Sequence, residues 1–111
     1  MPVRNHKSRY ILFKWHDNGI LDRRIFSQAL SSALVKLYGE VGASRTRLRI
    51  IDMGTDDNFA IVRCSHKAVE MVRAAASIIK ELNGRPIVLY SVGVSGTIKS
   101  LKEKTKKRKL P

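Results

Sequence analysis

Acid is what this chain has least of relative to its size: nine Asp and Glu stand against twenty-two Lys and Arg, a formal charge of +13 with a pI near 10.5. A domain that holds a small metabolite has no need of that excess. A partner that is itself a polyanion explains it, because neutralised phosphates release condensed counterions. Cysteine is almost missing, and the single Cys64 excludes an intrachain disulfide and suits a reducing compartment. No apolar run approaches the roughly 18 residues of a membrane span, and no signal-peptide hydrophobic stretch follows Met1. No amphipathic helix sets large apolar residues against a cationic face, so a membrane is not the expected polyanion. Aromatic residues are few, at 6%, and proline occurs three times. Hydrophobic content is nevertheless 43%, ordinary for a globular domain and too high for a disordered basic tail.

With 111 residues the chain makes one domain. Residues 9–16 are aromatic and branched, which predicts a strand, closed by turn formers at Asp17-Asn18-Gly19. Asp22 is the expected N-cap of a helix with apolar residues at Phe26, Ala29, Leu30, Ala33, Leu34 and Leu37, stopped by Gly39. After a polar link through Gly42, Arg47 to Ile51 alternates as a half-exposed strand. A turn from Met53 to Asn58 returns the chain through a strand over Phe59 to Cys64. Ser65 is the expected cap of a second helix, with a stripe from Val69 through Val72, Ala75, Ala76 and Ile79 to Leu82, and Asn83-Gly84 as its end. Pro86 then opens a last strand over Ile87 to Val92. The order βαββαβ predicts an α+β, ferredoxin-like or RNP-like sandwich with a four-stranded antiparallel sheet and both helices on one face. The expected division is a flexible arm over residues 1–8, an RNA-binding domain over 9–98 and a basic carboxyl-terminal tail over 99–111.

The charge is placed unevenly. Residues 99–111 carry Lys99, Lys102, Lys104, Lys106, Lys107, Arg108 and Lys109 against Glu103 alone, +6 of the total, leaving +7 on the body. The tail is expected to face water, as a frayed helix at most. Arg45, Arg47 and Arg49 alternate along the second predicted strand and would project together towards a phosphate track, which Arg63 on the next strand would extend. The turn Val92-Gly93-Val94-Ser95-Gly96-Thr97 offers backbone amides for a phosphate ahead of a helix start. The first strand is apolar on both faces, with Ile11, Phe13 and Trp15 on one and Tyr10 and Leu12 on the other. The helices cover only one, so Tyr10 and Leu12 meet a terminal segment, stacked bases or, weighed highest, a protein partner.

Catalytic signals are poor. Cys64 ends a strand while His66 opens a helix, with no acid placed to orient the imidazole. His6, His16 and His66 share no metal-ligand spacing, and Asp52, Asp56 and Asp57 fit the solvated tip of a hairpin better than a magnesium site. The third strand lacks the basic-glycine-aromatic signature of an RNA recognition motif, so backbone and shape recognition is expected instead of base reading.

Four segments, Arg9-Tyr10-Ile11-Leu12-Phe13-Lys14, Leu37-Tyr38-Gly39-Glu40-Val41-Gly42, Ile61-Val62-Arg63-Cys64 and Val94-Ser95-Gly96-Thr97-Ile98-Lys99, together resemble the small, Pop-five-type protein subunit of archaeal and eukaryotic ribonuclease P. The resemblance implies a subunit without a catalytic site of its own. It supports the catalytic RNA that, with magnesium, removes the 5′ leader from precursor tRNA. The implied partners are ribonuclease P RNA, precursor tRNA, a larger barrel-shaped protein subunit and other holoenzyme proteins, with no cofactor bound by the protein itself. It also implies that the matching Arg9, Arg63, Ser95, Gly96, Thr97 and Lys99 face RNA. Arg45, Arg47, Arg49, Lys102, Lys106, Lys107, Arg108 and Lys109 join them on charge alone. Neither an insertion after the first strand nor a long acidic extension is present, which looks archaeal and cytoplasmic; a eukaryotic source would place it in the nucleus or nucleolus. A structural RNA-binding protein of another ribonucleoprotein, such as the ribosome, remains the alternative.

Overall fold

A strand with large apolar side chains on both faces is stable only at the centre of a sheet that is covered twice, and that is where the first strand lies. The computed structural model describes residues 7–16, 22–54 and 58–107, the last four by backbone alone. Strand β1 (Ser8–His16) pairs antiparallel with both β3 (Phe59–Ser65) and β6 (Val88–Ser95), and β2 (Arg49–Gly54) pairs with β3 at one edge, in the order β2-β3-β1-β6. Helix α1 (Arg23–Ser44) joins β1 to β2, α2 (Val69–Ser77) follows β3, and α3 (Ile98–Lys107) follows β6. This is the expected ferredoxin-like topology with a third helix added. Asp17-Asn18-Gly19 lies outside the described residues.

The helices on the first face form for local reasons. The Asp22 carboxylate accepts from the Arg24 amide at 3.1 Å, capping α1. Phe26, Leu30, Ala33 and Leu34 fall on one side of it and are buried. Burying each large one stabilises the fold by about 1.5–3 kcal/mol. Trp15 stacks on Phe26 at 5.6 Å and Phe13 meets it edge-on at 6.4 Å. At Gly39 the backbone turns to φ +77, as expected of the residue that breaks the helix, but a further helical segment runs on to Ser44 where a polar link was expected. Ser65 stands before a 3-10 turn, His66–Ala68, leading into α2, yet its side chain caps nothing there. Its hydroxyl donates to the Arg45 carbonyl instead, at 3.5 Å.

Asn83-Gly84 is not a helix end. Helix α2 stops at Ser77, and β4 (Glu81–Leu82) and β5 (Arg85–Pro86) form a small hairpin around that pair. Both turn residues have positive φ, +56 and +78, the signature of a two-residue hairpin turn.

The second face carries the larger correction. Leu12 is 7% exposed and shares a cluster with Ile61, Val92 and Leu101, with Ile98 and Tyr10 packed around it. The chain covers this face itself through α3, so Leu12 is not an open site for a protein partner. Nor is the carboxyl-terminal segment wholly solvated, since Leu101 is completely buried. A register shift between Leu12 and Phe13 in the β1–β6 ladder places Val92 in this cluster.

Shortening Leu101 should therefore unfold more than a tail. Leu101→Ala is expected to lower stability by about 2–4 kcal/mol in urea unfolding. An unchanged midpoint would show that α3 does not pack on the sheet.

Candidate nucleic-acid interface

Antiparallel pairing decides where the cations collect. The registers Ser8↔Ser65, Arg49↔Arg63 and Tyr10↔Ser95 bring the start of β1, the end of β3, the start of β2 and the end of β6 to one end of the sheet. Arg9, Arg49, Arg63 and the Ser95-Gly96-Thr97 turn are thus neighbours although they span most of the sequence. Arg49, Arg63, Tyr10 and Ser95 succeed one another across the four strands. Arg49 directly opposite Arg63 is a like-charge pair, which destabilises a sheet unless an anion or solvent screens it. Neither forms an ion pair among the described residues. The acid that a purely structural role for Arg63 would require is not beside it.

Arg45, Arg47 and Arg49 do not form the expected row on one strand. Arg45 caps the end of α1, Arg47 has φ +53, and only Arg49 belongs to β2. The cause is Thr46, 1% exposed, which is pinned between α1 and β3 and delays the start of the strand. All three arginines remain exposed at the same end of the sheet. Lys7 and Lys67, not singled out by the sequence, join them there, because the His66 amide donates to the Lys7 carbonyl at 2.9 Å. The only sequence signal for these two was their position at strand and helix boundaries.

The β6–α3 turn is partly satisfied from within. The Thr97 amide donates to the Ser95 hydroxyl at 3.5 Å, and the Ser100 amide to the Thr97 hydroxyl at 3.1 Å. Ser95 is buried, so its part is to shape the turn. Gly96 is exposed beside Arg9: a methyl group added to it would lie 3.8 Å from Arg9 Nη1, with nothing closer. Lys99 and Lys102 are exposed on α3. Lys106 and Lys107 lie in α3 by backbone alone, while Arg108 and Lys109 lie outside the described residues.

Among the described residues, no three His, Cys, Asp or Glu side chains come close enough to hold a metal. The Asp52 carboxylate accepts from the adjacent Met53 amide at 2.8 Å, a local contact within β2; Asp56 and Asp57 lie outside the described residues. Cys64 is 1% exposed, and burial pushes its thiol up to about 11, the opposite of an activated nucleophile. No described helix is long and apolar enough to cross a membrane. Large apolar side chains that remain exposed include Val35, Leu37, Tyr38 and Val41 along α1.

Comparison with known proteins bears on family and fold. The sequence profile of the Rpp14/Pop5 family matches residues 9–106. The chain is 31% identical over 103 residues to ribonuclease P protein component 2 of Pyrococcus horikoshii, covering 93% of this chain and 86% of that protein. It is 35% identical over 104 residues to ribonuclease P protein component 2 of Archaeoglobus fulgidus, covering 93% and 92%. A chain in the cryo-EM structure of yeast ribonuclease MRP superposes with a TM-score of 0.64 at 18% identity, over 96% of this chain and 97% of that one. That last likeness concerns the fold.

The Cys64 thiol can be tested directly for reactivity. Its folded pKa lies above the ordinary value of 9.0, so the associated stability is intact below pH 9 and is lost as the pH climbs towards about 11. Alkylation of the native chain at pH 8 should be about a hundredfold slower than in denaturant, or slower still. Rapid labelling of the folded chain would show a reactive Cys64.

Proposed function

This chain belongs to the Rpp14/Pop5 family, and we propose that it serves as a protein subunit of ribonuclease P, an electrostatic brace for a catalytic RNA that removes the 5′ leader from precursor tRNA. The observation that carries the mechanism is the cationic end of the sheet. Arginines from β1, the α1–β2 link, β2 and β3 converge there, and Arg45, Arg47, Arg49 and Arg63 have no ion-pair partner among the described residues. Such a surface lowers its own repulsion by taking up phosphates where RNA strands crowd together. In this reading hydrolysis and the magnesium that assists it belong to the RNA, and the protein supplies charge and shape. Arg9, Arg63, Gly96 and Lys99 are the contacts proposed first, with Arg49 and Lys102 beside them. A larger barrel-shaped subunit is the proposed protein partner, on a surface other than the one α3 occupies. A cytoplasmic particle is proposed from the archaeal relatives.

Reconstitution tests the subunit reading: purified ribonuclease P RNA and the remaining proteins should cleave precursor tRNA faster when this chain is added, and nuclease treatment should abolish the activity. Cleavage by the RNA-free chain would overturn it. With about six to eight phosphates neutralised, log affinity should fall with log salt at a slope of about −5 to −7. Alanine at Lys106, Lys107, Arg108 and Lys109 together should flatten that slope; an unchanged slope removes the tail from the contact.

Gly96→Val probes the turn. The space around Gly96 accepts a side chain, so stability should change by no more than about 0.5 kcal/mol, while the branched group beside Arg9 should reduce stimulation of cleavage. A variant that melts early and keeps full activity would make the turn purely structural.

A further inference from the structure

Thr46 carries no charge, yet it organises a second cationic feature. Its hydroxyl donates to the Ala43 carbonyl at 2.7 Å, and its carbonyl accepts from the Ser65 amide at 2.8 Å. Together with the His66–Lys7 backbone bond at 2.9 Å, these contacts fix the segment before β1, the end of α1, the α1–β2 link and the β3–α2 junction around one open hollow. The hollow has a volume of about 410 Å³. Lys7, Arg45, Arg47 and Lys67 line it, with Ser65 and His66 between them, and no acid does. All four cations are exposed, and none forms an ion pair among the described residues. Arg47 holds its place at φ +53, in the left-handed region that a non-glycine residue occupies at a cost of about 1 kcal/mol or more.

We infer that this hollow is a discrete seat for phosphodiester groups of the ribonuclease P RNA backbone, built by the α1–β2 link and the β3–α2 junction and separate from the β6–α3 turn. The inference rests on the subunit reading and gives it a particular contact. The chemistry favours a backbone over a metabolite or a base. The lining has no large apolar side chain to hold an organic body, and its cations stand on fixed backbone. Four donors of one sign on one rim match several neighbouring phosphate oxygens. Recognition here is of charge and spacing, not sequence.

The test uses the full chain and transcribed ribonuclease P RNA, titrated by fluorescence anisotropy from low to moderate KCl. The double variant Arg45→Gln/Arg47→Gln should bind about tenfold more weakly or worse at moderate salt, with a slope shallower by about 1.5 to 2. Its melting temperature should match wild type, since both side chains are exposed. Lys36→Gln/Lys80→Gln removes the same charge from exposed positions that do not line the hollow and should leave the slope unchanged. Unchanged binding in the first variant, or equal losses in both, would overturn the seat while leaving the subunit reading in place. Failure of the wild-type chain to bind this RNA would overturn the subunit reading and the seat with it.

Discussion

The structure turns on β1, hydrogen-bonded along both edges and apolar on both faces. Ile11, Phe13 and Trp15 demand a cover on one side, and Leu12 demands one on the other. Helices α1 and α2 meet the first demand in the ordinary ferredoxin-like manner. The second is met by α3, whose apolar contribution is small but well placed: Ile98 and Leu101, three residues apart, lie on the side that touches the sheet. Leaving Leu12, Ile61 and Val92 in water would cost several kcal/mol, a large part of the roughly 5–15 kcal/mol that hold a domain together. The third helix is therefore part of the fold, and its outward lysines are held by it.

The same antiparallel ladder that buries β1 also concentrates charge. Because β1, β3 and β6 alternate in direction, residues at the strand ends meet at one place, and at this end they include Lys7, Arg9, Arg63 and Lys67. The Arg49–Arg63 juxtaposition costs roughly 0.2–1 kcal/mol in a bare sheet. Each further cation at this end adds repulsion that salt screens only over about 10 Å. The core tolerates the sum, and a bound polyanion reverses its sign. On the proposed function, the stability lost in the free protein and the affinity gained with RNA would arise from the same side chains.

Local chemistry was legible where one residue decides the outcome. Asp22 as a cap and Gly39 as a break at positive φ needed no tertiary information. The failures share a different cause. Asn83-Gly84 suits both a helix end and a hairpin turn, and the choice depends on whether the chain stays helical past Ser77 or Leu82 enters a strand. The alternation of Arg45, Arg47 and Arg49 resembles a strand, but Thr46 is taken into the junction with β3 and forces Arg47 out of the extended region. At α3 the charge hid the amphipathy, because a segment dominated by lysine shows only two apolar residues. Of the candidate interface, the positions Arg9, Arg63 and Gly96 were readable from the family-like segments. Lys7 and Lys67 were not, since nothing in the sequence says that the segment before β1 lies against the β3–α2 junction.

Anchoring α3 changes what a basic segment can contribute. A free polybasic arm gains Coulomb energy on meeting RNA but gives back conformational entropy as it orders. Here the backbone over Ile98–Lys107 is already helical and Leu101 already buried, so in the proposed complex Lys99 and Lys102 would meet a phosphate with most of that ordering done before the encounter. The pinned link at Thr46 would do the same for Arg45 and Arg47. Two cationic features on ordered backbone would, on the proposed reading, do more than raise affinity. In the proposed complex they would set the angle at which two stretches of RNA backbone approach one another, a geometric constraint that a free basic arm does not supply.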